Sequence, residues 1–195
     1  MESIKSPTMT GLNEIVQTIR GAQQQYPEQQ HSVTWVTFNG LGTKTIECNQ
    51  SVDALTDLNI ERYQPQANTP LFDAMGKSLL HLQQFTERLT DYTVLVSILT
   101  DGDENASQIF TAQGIQALIR QLKDKNWSFT YMGANHNVNA VAKSLSIDTS
   151  ITFQAQEDDL KQLFERDRKG RMAFYDKRSK GQSTHQSQES YFDQP

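Results

Sequence analysis

Cysteine is almost absent from this chain of 195 residues: Cys48 stands alone. A single thiol excludes an internal disulfide framework and any zinc site built on cysteines. In its β-branched surroundings it reads as a small strand hydrophobe. Long apolar runs are missing as well. No segment approaches the ~18 residues of a membrane span, and Met1-Glu2-Ser3-Ile4-Lys5-Ser6 has neither the basic flank nor the apolar stretch of a secretion signal. These absences predict a soluble, cytoplasmic protein with no membrane partner. Clustered positive charge is also scarce. Residues 1–165 carry 11 Lys and Arg against 19 Asp and Glu, residues 166–195 carry 7 against 4, and the net charge is −5. An acidic body argues against nucleic acid as the main partner, because phosphate contacts need grouped cations. A divalent cation suits it better.

Catalytic motifs are missing too. His31, His81, His136 and His185 lie in no recognisable nucleophile or zinc pattern. Gly40-Leu41-Gly42 does not lead into a helix, so no phosphate-cradling loop is formed. With 36% apolar residues, the chain can bury one core and is short for two.

Hydrophobic periodicity supplies the elements. Met9, Leu12, Ile15, Val16 and Ile19 recur at spacings of three or four, one face of an amphipathic helix that follows Pro7. The β-branched and aromatic stretches 33–38 and 43–48 flank Asn39-Gly40-Leu41-Gly42 and predict an antiparallel hairpin. Residues 49–70 are polar and irregular, a loop long enough to suggest function. Further along, helices are expected from Leu71, over 108–124, over 137–146 and over 156–165. They alternate with strands at 92–100, 127–133 and 150–154. Such alternation implies a mostly parallel sheet with helices on both faces, joined by right-handed crossovers. Beyond Asp167 apolar density falls. A basic stretch, 166–178, then reads as a solvated helix end leading into a disordered Ser- and Gln-rich tail over 179–195.

The most informative stretch is Val94-Leu95-Val96-Ser97-Ile98-Leu99-Thr100-Asp101-Gly102-Asp103-Glu104-Asn105, an apolar run that stops at a cluster of carboxylates. Its lack of alternation fits a strand covered on both faces, and ligand sites of open α/β sheets lie at the carboxyl ends of such strands. Asp101-x-Asp103-x-Asn105 also begins like an EF-hand loop. That reading fails, because Ala106 stands where glycine is needed and Ala112 where a bidentate glutamate is needed.

Two segments together resemble a known family. Asn68-Thr69-Pro70-Leu71-Phe72-Asp73-Ala74 and Thr100-Asp101-Gly102-Asp103-Glu104-Asn105 are similar to two motifs of the von Willebrand factor A-type domain in its bacterial, intracellular form. Their order and separation, the preceding hairpin and the later Met132-Gly133-Ala134-Asn135 fit over residues 1–165, with 166–195 as a tail. The resemblance implies a doubly wound, Rossmann-like α/β sheet carrying a metal-ion-dependent adhesion site. Thr69 and Asp101 would then be metal ligands, Gly102 would let the backbone turn away from the ion, and Asn105 would support the motif. Asp103 and Glu104 would add negative field or remain solvated loop charges. Mg²⁺, or Mn²⁺ or Ca²⁺ in its place, would bridge to an acidic residue of a partner protein.

The family's third motif, D-x-S-x-S at the end of its first strand, is not present. Met1 falls where the residue after that motif would stand, so the resemblance implies a chain that starts beyond the first strand, through truncation or a misplaced start codon. The lost strand would be the middle of the sheet, leaving 33–38 and 94–100 without a shared neighbour. Metal binding would then be weak or lost. The competing reading is a metal-assisted hydrolase or nuclease using Asp101, Asp103 and Glu104.

Overall fold

The apolar stripe at residues 9–19 folds as helix α1 (Lys5–Gln25), which buries Met9, Ile15, Val16 and Ile19. The computed structural model describes residues 4–59, 61, 63–65, 68–182, 184 and 188–194. Met1 and His185 therefore lie outside the described residues, as does part of the segment expected to be a disordered tail. Strands β1 (Ser32–Asn39) and β2 (Gly42–Ser51) form the expected hairpin, closing with Asn39 opposite Gly42. Cys48 lies in β2 as its β-branched setting suggested.

The remaining elements alternate. They are α2 (Leu71–Thr86), β3 (Val94–Thr100), α3 (Ala112–Lys123), β4 (Trp127–Gly133), α4 (Val138–Ser144), β5 (Thr149–Thr152) and α5 (Glu157–Ser179). Two helix starts are fixed locally by N-caps that satisfy otherwise orphaned donors. The Thr111 hydroxyl accepts from the Gly114 N–H at 3.2 Å, and the Asn137 carbonyl oxygen accepts from the Ala140 N–H at 3.1 Å. No helix among the described residues is long and apolar enough to cross a membrane.

Strands β3, β4 and β5 form a parallel sheet in that order, and β4 is buried along its whole length. Alternation along a strand sends successive side chains to opposite faces. Trp127, Phe129, Tyr131 and Ile98 accordingly pack with α2, α3 and α4. Met132, Leu95 and Leu99 pack with α1 and α5. Helices thus cover both faces, as expected.

Among the described residues the strands form two sheets, β1–β2 and β3–β4–β5, with no ladder joining β1 to β3. Both strands start over the last turns of α5, where the His31 ring meets Tyr175 and Asp91 pairs with Arg178. Both end beside the 63–69 segment, where the Asn39 amide donates to the Gln64 carbonyl and Gly102 lies against Thr69. They therefore run in the same direction, on either side of a cavity of about 1480 Å³ lined by residues of β1, β3, α1, α2 and α5. The consequence shows in burial. Val94, Leu95 and Val96, apolar on both faces, are only half-buried, while every residue of β4 is buried.

The C-terminal region departs from expectation. Helix α5 continues to Ser179, and Phe174 and Tyr175 join the core, so residues 166–178 are not a solvated helix end. A 3₁₀ segment, Gln188–Asp193, packs back on α5 with Tyr191 and Phe192 5% and 6% exposed. The low apolar density misled because the contacts are few but concentrated. Asp167 and Arg171 form a buried pair at 3.0 Å, and the Tyr191 hydroxyl donates to Asp167 at 2.9 Å. Arg171 also donates to the Ser97 hydroxyl on β3 at 3.0 Å. Each partner satisfies a charge that could not otherwise be buried.

Gly170 permits this docking, since a Cβ there would lie 2.4 Å from the Tyr191 carbonyl oxygen. Gly170→Ala is expected to destabilise the fold by about 1–3 kcal/mol, the usual scale of overpacking, read as a lower urea midpoint. In a chain ending at residue 181 the same substitution is expected to have little effect. An equal loss in both chains would show that the segment does not depend on this contact.

Candidate functional site at the strand ends

Loops following β3 and β4 meet the loop before α2 at one rim of the parallel sheet, and hydrogen bonds hold them there. The Thr69 N–H donates to the Asn105 side-chain oxygen at 2.8 Å, and the Asn105 N–H returns a bond to the Thr69 carbonyl at 3.2 Å. Two segments 36 residues apart are thereby locked side by side. Across the rim, the Asn135 amide donates to the Asp101 carbonyl at 3.1 Å. Asn135 does so from a left-handed backbone with φ 61°, a conformation that asparagine tolerates better than most residues.

Helix α2 lacks a local cap because Pro70 precedes it and makes no capping bond. The Leu71 N–H bonds locally to the Thr69 carbonyl at 2.9 Å, and the next two N–H groups are satisfied from the distant loop. Phe72 donates to Glu104 at 2.8 Å and Asp73 to the Ser107 hydroxyl at 3.0 Å. Glu104 additionally accepts from the N–H groups of Ala106 (2.8 Å) and Ser107 (2.7 Å) and from the Ser107 hydroxyl (2.7 Å). Asp73 in turn receives the N–H groups of Gln108 (3.1 Å), Ile109 (2.9 Å) and Phe110 (2.9 Å).

Several expected roles change as a result. Glu104 is half-buried and fully engaged, so it is an anchor for its loop and for α2 rather than a solvated charge. Asp103 is exposed, as a loop charge would be. Gly102 is not in the left-handed region and makes no turn that only glycine allows. Close approach is the constraint there, since an added Cβ would lie 3.2 Å from the Thr69 hydroxyl oxygen. Asn105 supports the site directly through Thr69. Asp73 and Ser107 went unnoticed in the sequence. The one available signal was a helix beginning at Pro70-Leu71 with no capping side chain, which must find its partners elsewhere.

His136 sits on the same rim, with its Nδ1 2.7 Å from the Ala134 carbonyl and its Nε2 3.1 Å from the Tyr131 hydroxyl. A carbonyl can only accept, so Nδ1 carries the proton and Nε2 accepts from the tyrosine. Both ring nitrogens serve the structure. Burial, reinforced by the negative charges of Asp103 and Glu104, raises the Tyr131 hydroxyl far above its ordinary pKa and keeps it a donor.

For a hard divalent cation the rim offers the Thr69 hydroxyl and the Asp101 carboxylate, oxygen donors of the right kind. Among the described residues no group of three or more His, Cys, Asp or Glu could hold a metal. The large cavity between β1 and β3 reaches this rim, where Asn68, Thr69, Asp101 and Gly102 line it. The chain matches no family model, no curated protein and no solved structure.

Burial raises the affinity of Glu104 for its proton, but the bonds from Phe72, Ser107 and Ala106 outweigh it and hold its carboxyl below the ordinary glutamate pKa. Asp73 is held below its ordinary value in the same way, by the N–H groups of Gln108, Phe110 and Ile109. For depressed carboxyl groups the stabilisation is complete above the unfolded pKa and is lost as pH falls through the folded one. Stability is expected to fall from pH about 4 downward. Glu104→Gln should cost about 1–3 kcal/mol at neutral pH and flatten that acid limb in urea titrations. A variant with an unchanged limb would remove Glu104 from the linkage.

Proposed function

We propose that the chain is a protein-interaction module of the von Willebrand A type, reading an acidic residue of a partner protein at the Thr69–Asp101 rim. The observation that carries the reading is the Asn105 clamp, which holds the Thr69 loop against the Asp101-Gly102 turn at the carboxyl end of β3. Two motifs that resemble the family in sequence are thus neighbours in space.

The charge of the rim supports a bridged contact. Asp103, exposed at the rim, repels a carboxylate, so an acidic partner would require a cation between them. Thr69 and Asp101 would hold Mg²⁺, or Mn²⁺ or Ca²⁺, and the ion would supply a positive centre open to water and to one incoming carboxylate. Asn105 and Asn135 position the two loops, and Glu104 keeps the 104–107 segment folded on α2. With two protein donors the site is weak by itself. A doubly wound, Rossmann-like arrangement belongs to the same proposal.

The hydrolase reading loses support from one observation. Glu104 spends both carboxylate oxygens on four donors of its own loop and helix, so it has little capacity left to coordinate a metal or relay protons.

Paramagnetic Mn²⁺ provides the test. Amide signals of residues 68, 69 and 100–103 are expected to broaden first, and Thr69→Ala and Asp101→Ala are each expected to abolish the selective broadening with the fold retained. An acidic peptide should bind in the presence of Mg²⁺ and not in EDTA. Broadening centred elsewhere, or unaffected by both variants, would refute the site.

A further inference from the structure

The cavity between β1 and β3 is far larger than a void in a close-packed interior, where gaps bigger than a water molecule are few. At about 1480 Å³ it also exceeds the ~300–1,000 Å³ of ordinary small-molecule pockets. Its walls have the character of a sheet interior with one strand's width left open. On one side Met9, Leu12, Ile15, Phe164 and Phe174 of α1 and α5 face it, and on the other Met75, Leu79 and Leu82 of α2 do.

The two long edges are backbone. Val94 donates to the Asn126 carbonyl at 3.1 Å, and Thr100 accepts from the Ala134 N–H at 3.1 Å. Both therefore turn their peptide groups toward β4. Alternation in a parallel ladder sends the groups of Val96 and Ile98 the same way and those of Leu95, Ser97 and Leu99 the opposite way, toward the cavity. The facing strand β1 is bonded to β2 on its far edge. Side chains in the walls are also unpartnered. The Thr8 hydroxyl, His31 Nε2 and Trp35 Nε1 are buried with no hydrogen-bond partner among the described residues, and Thr8 is only 1% exposed.

We infer that this cavity is a receptor for one extended β-strand of a partner chain, about seven residues long to match β3, with apolar side chains on both of its faces. The strand pairs with β3 and β1 at once and so joins the two sheets into one. Two features select a peptide over a lipid or other apolar filler. Rows of N–H and C=O groups on the edges of β3 and β1 that face away from β4 and β2 are matched in register only by another backbone. The apolar walls on both faces demand a strand without polar alternation, which an ordinary amphipathic edge strand lacks. Direct pairing needs neither Thr69 nor Asp101, so the inference stands apart from the metal reading.

Amide hydrogen exchange of the full chain tests it with a synthetic peptide, a Val, Ile and Leu core of about seven residues between solubilising lysines. A twin peptide N-methylated at alternate residues keeps the side chains and loses its donors. The unmodified peptide is expected to slow exchange at Leu95, Ser97 and Leu99 by about tenfold or more. Val96 and Ile98, already bonded to β4, should change less, and the N-methylated twin should leave all five as they were. Equal slowing by both peptides, or by a long-chain fatty acid, would show an apolar pocket and overturn strand pairing. No slowing at the three amides would overturn it too. Protection that appears without peptide and grows with protein concentration would assign the slot to a second copy of this chain instead.

Discussion

Backbone hydrogen bonding at β3 is the constraint on which the rest of this structure depends. One row of its peptide groups is tied to β4, and the other faces the cavity that separates it from β1. Everything beyond β4 is an ordinary buried parallel sheet with helices on both faces. Everything before β3 is a hairpin and two helices, α1 and α2, held to that sheet by side chains. Half-burial of Val94, Leu95 and Val96 is the visible sign of this unresolved edge.

Side-chain links that cross the cavity's flanks compensate for the missing ladder. Arg20 of α1 binds the carbonyls of Val52 and Leu55 after β2, and Gln23 reaches Asp53 at 2.6 Å. On the other side, Arg171 carries its buried pairing with Asp167 onward to Ser97 of β3, to which Thr130 of β4 also donates at 3.1 Å. The C-terminal segment belongs to the same scaffold, because the Tyr191 hydroxyl completes the shell of Asp167. These bonds tie α1 to the hairpin side and α5 to the sheet, so the two halves share helices while their strands stay apart.

The strand-end rim is built on a different principle, the unsatisfied N-terminus of α2. With proline at the cap position, the helix takes its partners from the 104–107 loop, and Asp73 repays them by gathering the 108–110 backbone. Thr69 is carried into place as part of this exchange. The candidate site is thus a by-product of helix capping across a long sequence gap.

Much of this was legible in the chain. Periodicity located all five helices and all five strands, because local spacing of apolar residues is enough to choose between the two backbone conformations. The apolar run ending at Asp101 marked the rim, and the two motifs marked Thr69 and Asp101. What local pattern could not give was partnership. Whether Glu104 faces solvent or caps α2, whether Gly102 turns the chain or makes room for Thr69, and whether Tyr191 hangs free or completes a buried ion pair are all decided by residues 24 to 33 positions away. Such pairings depend on where the sheet places each loop, and no window of neighbouring residues contains that information.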